Sequence, residues 1–209
     1  MEIGRPAPGE ELNLDGPTVP RPAATVIVLR GGEHSLEVLL VKRNPESRFM
    51  GGAWVFPGGA LDASEGEGDA GLRACAVREL NEEAGVELPG SDVLVLFSRW
   101  ITPEQVKIRF DTWFFLAEVP ADAQPRVDGS EIVGARWYEP DAALAAAGAG
   151  EILLVFPTIK HLEQLSAFGS ARDLLDHAAA REVRPVTPRV LLSGEIARIV
   201  LPGEPGYEE

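Results

Sequence analysis

Three glutamates, Glu79, Glu82 and Glu83, stand at i, i+3 and i+4 in the run Arg78-Glu79-Leu80-Asn81-Glu82-Glu83-Ala84-Gly85-Val86, and nothing else in the chain constrains it so tightly. The spacing predicts a helix over Asp69 to Ala84 that carries all three carboxylates on one face. Val77, Leu80 and Ala84 recur at i, i+3 and i+7 and form an apolar stripe on another face. Asp69 is the expected N-cap, and Gly85 the expected left-handed C-cap. Such a helix buries one side on a sheet and leaves the other free. Unpartnered carboxylates at this spacing repel one another. A hard divalent cation, Mg²⁺ or Mn²⁺, removes that repulsion and keeps room for water and phosphate oxygens. The segment therefore reads as a metal-dependent phosphate-chemistry site. Glu79, Glu82 and Glu83 are its ligands, and Arg78 is a fork for a carboxylate or the preceding loop.

Upstream, Phe56-Pro57-Gly58-Gly59 reads as a turn after a short strand, Trp54 to Phe56. Pro57 fixes one backbone angle, while Gly58 and Gly59 permit positive φ and close approach of the main chain. Peptide groups of this turn can meet a metal shell or a phosphate.

Gly59 together with Arg78-Glu79-Leu80-x-Glu82-Glu83-x-Gly85-Val86 resembles the Nudix box. That pattern is Gly, five residues, Glu, seven residues, then Arg-Glu-apolar-x-Glu-Glu-x-Gly-apolar. Five residues after Gly59 lead to Glu65, as the pattern asks. Twelve then separate Glu65 from Arg78, so this chain carries five extra residues around Gly66-Glu67-Gly68-Asp69. The insertion leaves Glu65 and Glu67 as alternatives for one acidic role. Leu39-Leu40, Arg43, Arg48, Gly52 and Phe56 to Gly59 also match, in part, a motif of the coenzyme A-cleaving branch of Nudix enzymes; Val41 and Asn44 depart from it. Phe49 to Val55, Trp100-Ile101-Thr102-Pro103 and Leu201-Pro202-Gly203 are similar to a bacterial and peroxisomal subset of that branch. The resemblance implies that Arg43 and Arg48 read the extra phosphate of coenzyme A, and that the enzyme is a homodimer.

A formal charge of −14 sets a duplex nucleic acid or an anionic membrane aside as partner, because both would be repelled. A small anionic nucleotide then needs cations and local arginines to reverse the field at its site. One cysteine, Cys75, excludes an intrachain disulfide and fits a reducing, cytoplasmic setting. It reads as a small residue packed against the loop. His34, His161 and His177 lack ligand spacing, which argues against zinc.

Strands are expected at Ala23–Arg30, Glu37–Arg43, Val93–Trp100, Arg109–Val119 and Ile132–Tyr138. Helices are expected at Asp141–Ala149, capped by Asp141, and at Pro157–Phe168 and Ala171–Glu182. A hairpin over Val190–Leu201 turns at Ser193-Gly194. The pattern implies an α/β/α sandwich with a mixed sheet, which is also the Nudix architecture. Residues 1–20 form an irregular arm, 21–165 the catalytic domain, and 166–209 a helical and hairpin extension packed on it. Trp113, Phe114 and Phe115 are core, with an aromatic at the strand end available to stack on adenine.

The implied reaction is attack of water on one phosphorus of a diphosphate linkage. Coenzyme A or acyl-coenzyme A would give 3′,5′-ADP and (acyl)phosphopantetheine. ADP-ribose, NADH or a nucleotide sugar is the alternative substrate class, and a non-catalytic ligand-sensing module the alternative of another class. Intact Glu79, Glu82 and Glu83 weigh against the last. Glu79, Glu104 and Glu131 are candidates for the general base.

Overall fold

Ala24, Val26 and Val28 face one way along a single strand, Ile27 and Leu29 face the other, and all five are buried. A strand that is apolar on both faces needs cover on both. In the computed structural model, which describes residues 2–3, 13, 16, 18–193 and 196–207, two helical layers supply it. The elements run β1 (Glu2–Ile3), β2 (Arg21–Arg30), β3 (Glu37–Arg43), β4 (Ala53–Val55), β5 (Gly58–Ala60), α1 (Gly68–Ala84), β6 (Val95–Ile101), β7 (Phe110–Glu118), β8 (Ile132–Tyr138), α2 (Pro140–Gly148), β9 (Leu153–Leu154), α3 (Phe156–Leu165), α4 (Ala171–Ala179), β10 (Pro185–Val186), β11 (Arg189–Ser193) and β12 (Ile196–Val200). The expected α/β sandwich with a mixed sheet is what the chain forms.

Leu72, Cys75, Ala76, Leu80 and Ala84 of α1 pack on the face that carries Ala24, Val26 and Val28. Leu162 and Leu165 of α3 and Leu174 and Ala178 of α4 pack on the face that carries Ile27 and Leu29. The main sheet has the order β10-β6-β7-β2-β3-β4-β9. β2 lies parallel to β7 from Arg21↔Phe110 to Leu29↔Glu118. On its other edge β2 has two partners. Leu29 and Arg30 pair with β3, whereas Ala23, Ala24 and Thr25 pair with Ala60, Gly59 and Gly58 of β5. β3 meanwhile leaves to pair with β4 and β8. The sheet therefore splits beside β2, and β5 fills the split under α1.

Several local expectations need correction. Gly58 and Gly59 are not a turn but strand β5, and neither has positive φ. Their lack of side chains serves close packing alone. At Gly58 an added Cβ would meet the Ala24 carbonyl oxygen at 2.6 Å and the Thr25 Cα at 2.7 Å. Asp69 does not cap α1. The helix starts one residue earlier, after Glu67, and Asp69 in its first turn pairs with Arg73 at 2.6 Å. Asp141 likewise sits inside α2, because Pro140 takes the first helical position. Gly85 is left-handed as expected, at φ 59°, and its N–H donates to Asn81 O.

β11 and β12 pair antiparallel as far as Ser193↔Ile196, and β1 adds to β12. Gly194, the expected hairpin turn, and most of the expected 1–20 arm lie outside the described residues. β10 joins the main sheet parallel to β6. Among the described residues, no helix is long and apolar enough to cross a membrane.

Candidate active site

β5 and α1 build the site between them. Glu79 and Glu83, one turn apart on α1, face β5, and the two glycines let the helix come close. The Gly58 N–H donates to Glu83 Oε2 at 2.9 Å. A methyl group on Gly59 would collide with the Glu79 carboxylate, so the absent Cβ is the space that carboxylate occupies. Cys75 packs under the same strand, with its Sγ 3.6 Å from Gly59 O. Burial first, and then the nearby carboxylates Glu65 and Glu79, push its thiol up to about 12. It is the packed small residue that the sequence suggests.

Arg78 is the hub of the acidic cluster. Its Nε donates to Glu65 Oε1 at 2.8 Å and its Nη2 to Glu65 Oε2 at 3.2 Å. Its Nη1 donates to Glu79 Oε1 and to Glu82 Oε2, both at 2.8 Å, and Nη2 also reaches Ala60 O. Glu65, rather than Glu67, thus takes the acidic position next to Arg78. The five extra residues do not disturb this. Glu65 ends a short 3₁₀ turn, Ala63–Glu65, closed by a reciprocal capping box in which Asp62 N–H donates to Glu65 Oε2 at 2.7 Å. Burial raises the Glu65 carboxyl, but the Arg78 fork and the Asp62 N–H outweigh it and hold the group below its usual range.

The three helical glutamates differ in environment. The side chain of Glu82 is 59 % exposed, that of Glu83 only 6 %. Burial pushes Glu83 up to about 8, against the pull of the Gly58 N–H, and burial also raises Glu79. The nearest cation to Glu83 is Arg43 Nη1, at 3.7 Å from Oε1. Among the described residues, no three acidic, histidine or cysteine side chains converge as a ready ligand set; Arg78 holds Glu79 and Glu82, and Gly58 holds Glu83. Still, the donors are all hard oxygens, and Glu83 is a nearly buried carboxylate short of compensating charge. That donor set fits a hard divalent cation.

Arg43 projects from the end of β3 into this cluster. Besides Glu83 it contacts Glu131 Oε1 at 2.9 Å and Phe49 O at 3.2 Å. Arg43 and Glu131 line the cleft, whereas Arg48 and Glu104 are exposed and do not. The cleft has a volume of about 540 Å³ and runs from Arg78, Glu79 and Glu82 across Gly58 and Gly59 to the α3 side of the sheet. There Ala23, Thr25, Thr112 and Phe114 face the start of α3, at Val155 just before it and Pro157 and Thr158 in its first turn. Phe114 lines the cleft at the strand end; Phe115 is core, and Trp113 lies under Arg99 at 4.8 Å.

His161 escapes a sequence reading because no spacing marks it. It is fully buried against Phe114, with ring centroids 4.2 Å apart. Its Nε2 meets Ser98 Oγ at 2.6 Å and its Nδ1 meets Pro157 O at 2.7 Å. A carbonyl can only accept, so Nδ1 carries the proton and Nε2 accepts from Ser98. Burial holds this histidine down at about 4. It fastens α3, and with it Pro157 and Thr158, to β6.

A family model described as the NUDIX domain matches residues 19–156. A Caenorhabditis elegans protein named nudix hydrolase 7 is 30% identical over 182 residues, 70% of this chain and 60% of that protein, so the match spans three-fifths of the relative's length. An acyl-coenzyme A diphosphatase from Homo sapiens is 25% identical, with 82% of this chain and 72% of that protein covered. Among solved structures, a NUDIX hydrolase from Alicyclobacillus acidocaldarius superposes with a TM-score of 0.69 and 28% identity, covering 79% of this chain and 99% of the other.

Proposed function

The chain belongs to the Nudix family of hydrolases, and on that premise we propose that it cleaves the diphosphate linkage of coenzyme A or an acyl-coenzyme A. The observation that carries the reading is the single Arg78 guanidinium gathering Glu65, Glu79 and Glu82 beside the buried Glu83. Nudix hydrolases use divalent cations, and Glu79, Glu82 and Glu83 are the residues that would hold one here. A cation held there, Mg²⁺ or Mn²⁺, would supply neutralising charge for the diphosphate and Lewis acidity toward the attacking water. Arg78 orients Glu79 and Glu82 while Gly58 N–H fixes Glu83. Glu131 lines the cleft and can accept the proton of the attacking water; Glu104, outside the cleft, is the weaker candidate. Attack on one phosphorus and departure of the other phosphate give 3′,5′-ADP and (acyl)phosphopantetheine. We place this activity in the cytoplasm, on the strength of one buried thiol.

Similarity to an acyl-coenzyme A diphosphatase over most of both chains supports the substrate, as does Arg43 in the cleft. One observation favours a second reading, hydrolysis of ADP-ribose, NADH or a nucleotide sugar. Arg48 stands outside the cleft, and Arg43 is already engaged by Glu131, so the two arginines do not form a pair around an extra phosphate. Incubation with coenzyme A, dephospho-coenzyme A and ADP-ribose in the presence of Mg²⁺ tests the choice. Faster cleavage of ADP-ribose than of coenzyme A refutes the first reading in favour of the second.

A further inference from the structure

The α3 side of the cleft differs in chemistry from the α1 side. All its charged lining, Arg43, Arg78, Glu79, Glu82 and Glu131, belongs to the α1 side. The other side presents phenylalanine and threonine. Phe49 and Phe110 meet edge to face there, with centroids 6.0 Å apart. Thr158, in the first turn of α3, is only 4 % exposed and lines the cleft, yet its hydroxyl makes no hydrogen bond among the described residues. The hydroxyl is not sealed off: it opens on the cleft with its donor unused, ready to bond whatever enters there. The backbone around it also offers unused donors. Val155 precedes α3 without a side-chain cap, and the first-turn amides of a helix have no carbonyl of their own. His161, bonded to Pro157 O and to Ser98, holds this turn in place.

We infer that Thr158 and the first turn of α3 form a subsite for the part of the substrate beyond the diphosphate: an uncharged moiety with a hydrogen-bond acceptor on an otherwise apolar body. An amide arm such as pantetheine and a nucleobase such as adenine both have this chemistry. The inference rests on the hydrolase reading for its substrate but not for its site. Threonine to valine removes the hydroxyl at constant shape, and threonine to serine keeps it.

Pantetheine and adenosine carry no phosphate, so their binding to the full chain can be followed by NMR titration without a divalent cation. We expect one of the two to bind, about tenfold more weakly in Thr158→Val and at wild-type strength in Thr158→Ser. Whichever binds identifies the half of the substrate that enters the subsite. Equal affinity in the wild type and in Thr158→Val for every probe that binds, or binding of neither probe, overturns the subsite. So does Thr158-dependent binding of inorganic phosphate in place of the neutral probes. In turnover, Thr158→Val raises KM about tenfold and changes kcat less than twofold. Thr158-dependent binding by a protein that cleaves no diphosphate would sink the proposed function and leave the subsite standing. Cleavage that is indifferent to Thr158→Val would do the reverse.

Discussion

Arg78 grips both carboxylate oxygens of Glu65, thirteen positions away, in a fork of 2.8 and 3.2 Å. The fork ties the 3₁₀ turn to α1 and leaves Nη1 for Glu79 and Glu82. A lysine has the charge but not the planar fork. Arg78→Lys is expected to lower kcat/KM about 100-fold, a loss of about 3 kcal/mol in transition-state stabilisation, with the circular dichroism spectrum unchanged. Glu67→Gln, at an exposed residue without a capping bond, is expected to act as wild type. The reverse ranking in a steady-state assay would move the acidic role from Glu65 to Glu67.

Glu82→Gln and Glu83→Gln are each expected to remove most turnover, at least about 100-fold, while folding is retained. Glutamine at position 83 still offers an oxygen to the Gly58 N–H, so the fold keeps its hydrogen bond. Full activity in both variants, measured with saturating Mg²⁺, would exclude the carboxylates as cation ligands.

Neighbouring glycines are expected to fail in different ways. At Gly59 a methyl group meets the movable end of Glu79, so Gly59→Ala is expected to lose activity and little stability. At Gly58 it meets backbone of β2, and Gly58→Ala is expected to cost about 1–3 kcal/mol in urea unfolding. Equal stability losses in the two variants would contradict this packing.

Arg43→Ala is expected to raise KM for coenzyme A more than for dephospho-coenzyme A, and Arg48→Ala, exposed and outside the cleft, to change neither by more than about twofold. Identical effects of Arg43→Ala on both substrates would mean that it reads no extra phosphate.

Acid is expected to destabilise the protein through His161. Its folded value of about 4 lies below the ordinary histidine value of 6.5 because the ring is buried, with Arg181 adding to the effect. The unfolded chain therefore takes up the proton first as pH falls. The contribution is complete above about pH 6.5 and is lost progressively down to about pH 4, to a total of about 3 kcal/mol. Urea midpoints at pH 7 and pH 4.5 check this: His161→Phe should be less stable at pH 7 but show a smaller drop on acidification.

Periodicity made the frame legible. Glu37–Arg43 and Ile132–Tyr138 are strands to the residue, and Leu80, Ala84 and Gly85 place the last turn of α1. What escaped has physical causes. Glycine has no strand propensity, so β5 reads as a turn until Thr25 and Ala24 are seen beside it. Equal spacing puts Glu79, Glu82 and Glu83 on one arc, but only packing against β5 buries Glu83 and leaves Glu82 in solvent. Asp69 looks like a cap because caps are often aspartate; Arg73 four residues on gives it a different partner. The burial of His161 and Thr158 depends on the docking of α3, which no local pattern encodes.

Cys75 lies closed off beneath Gly59, with its thiol displaced far to the alkaline side. Near neutrality it holds almost no thiolate, so oxidants and alkylating reagents find little to react with while β5 stays seated on α1. Its labelling rate with a thiol reagent is therefore a clock for how often that strand lifts from the helix, and a cation or ligand that clamps the two together should slow the clock.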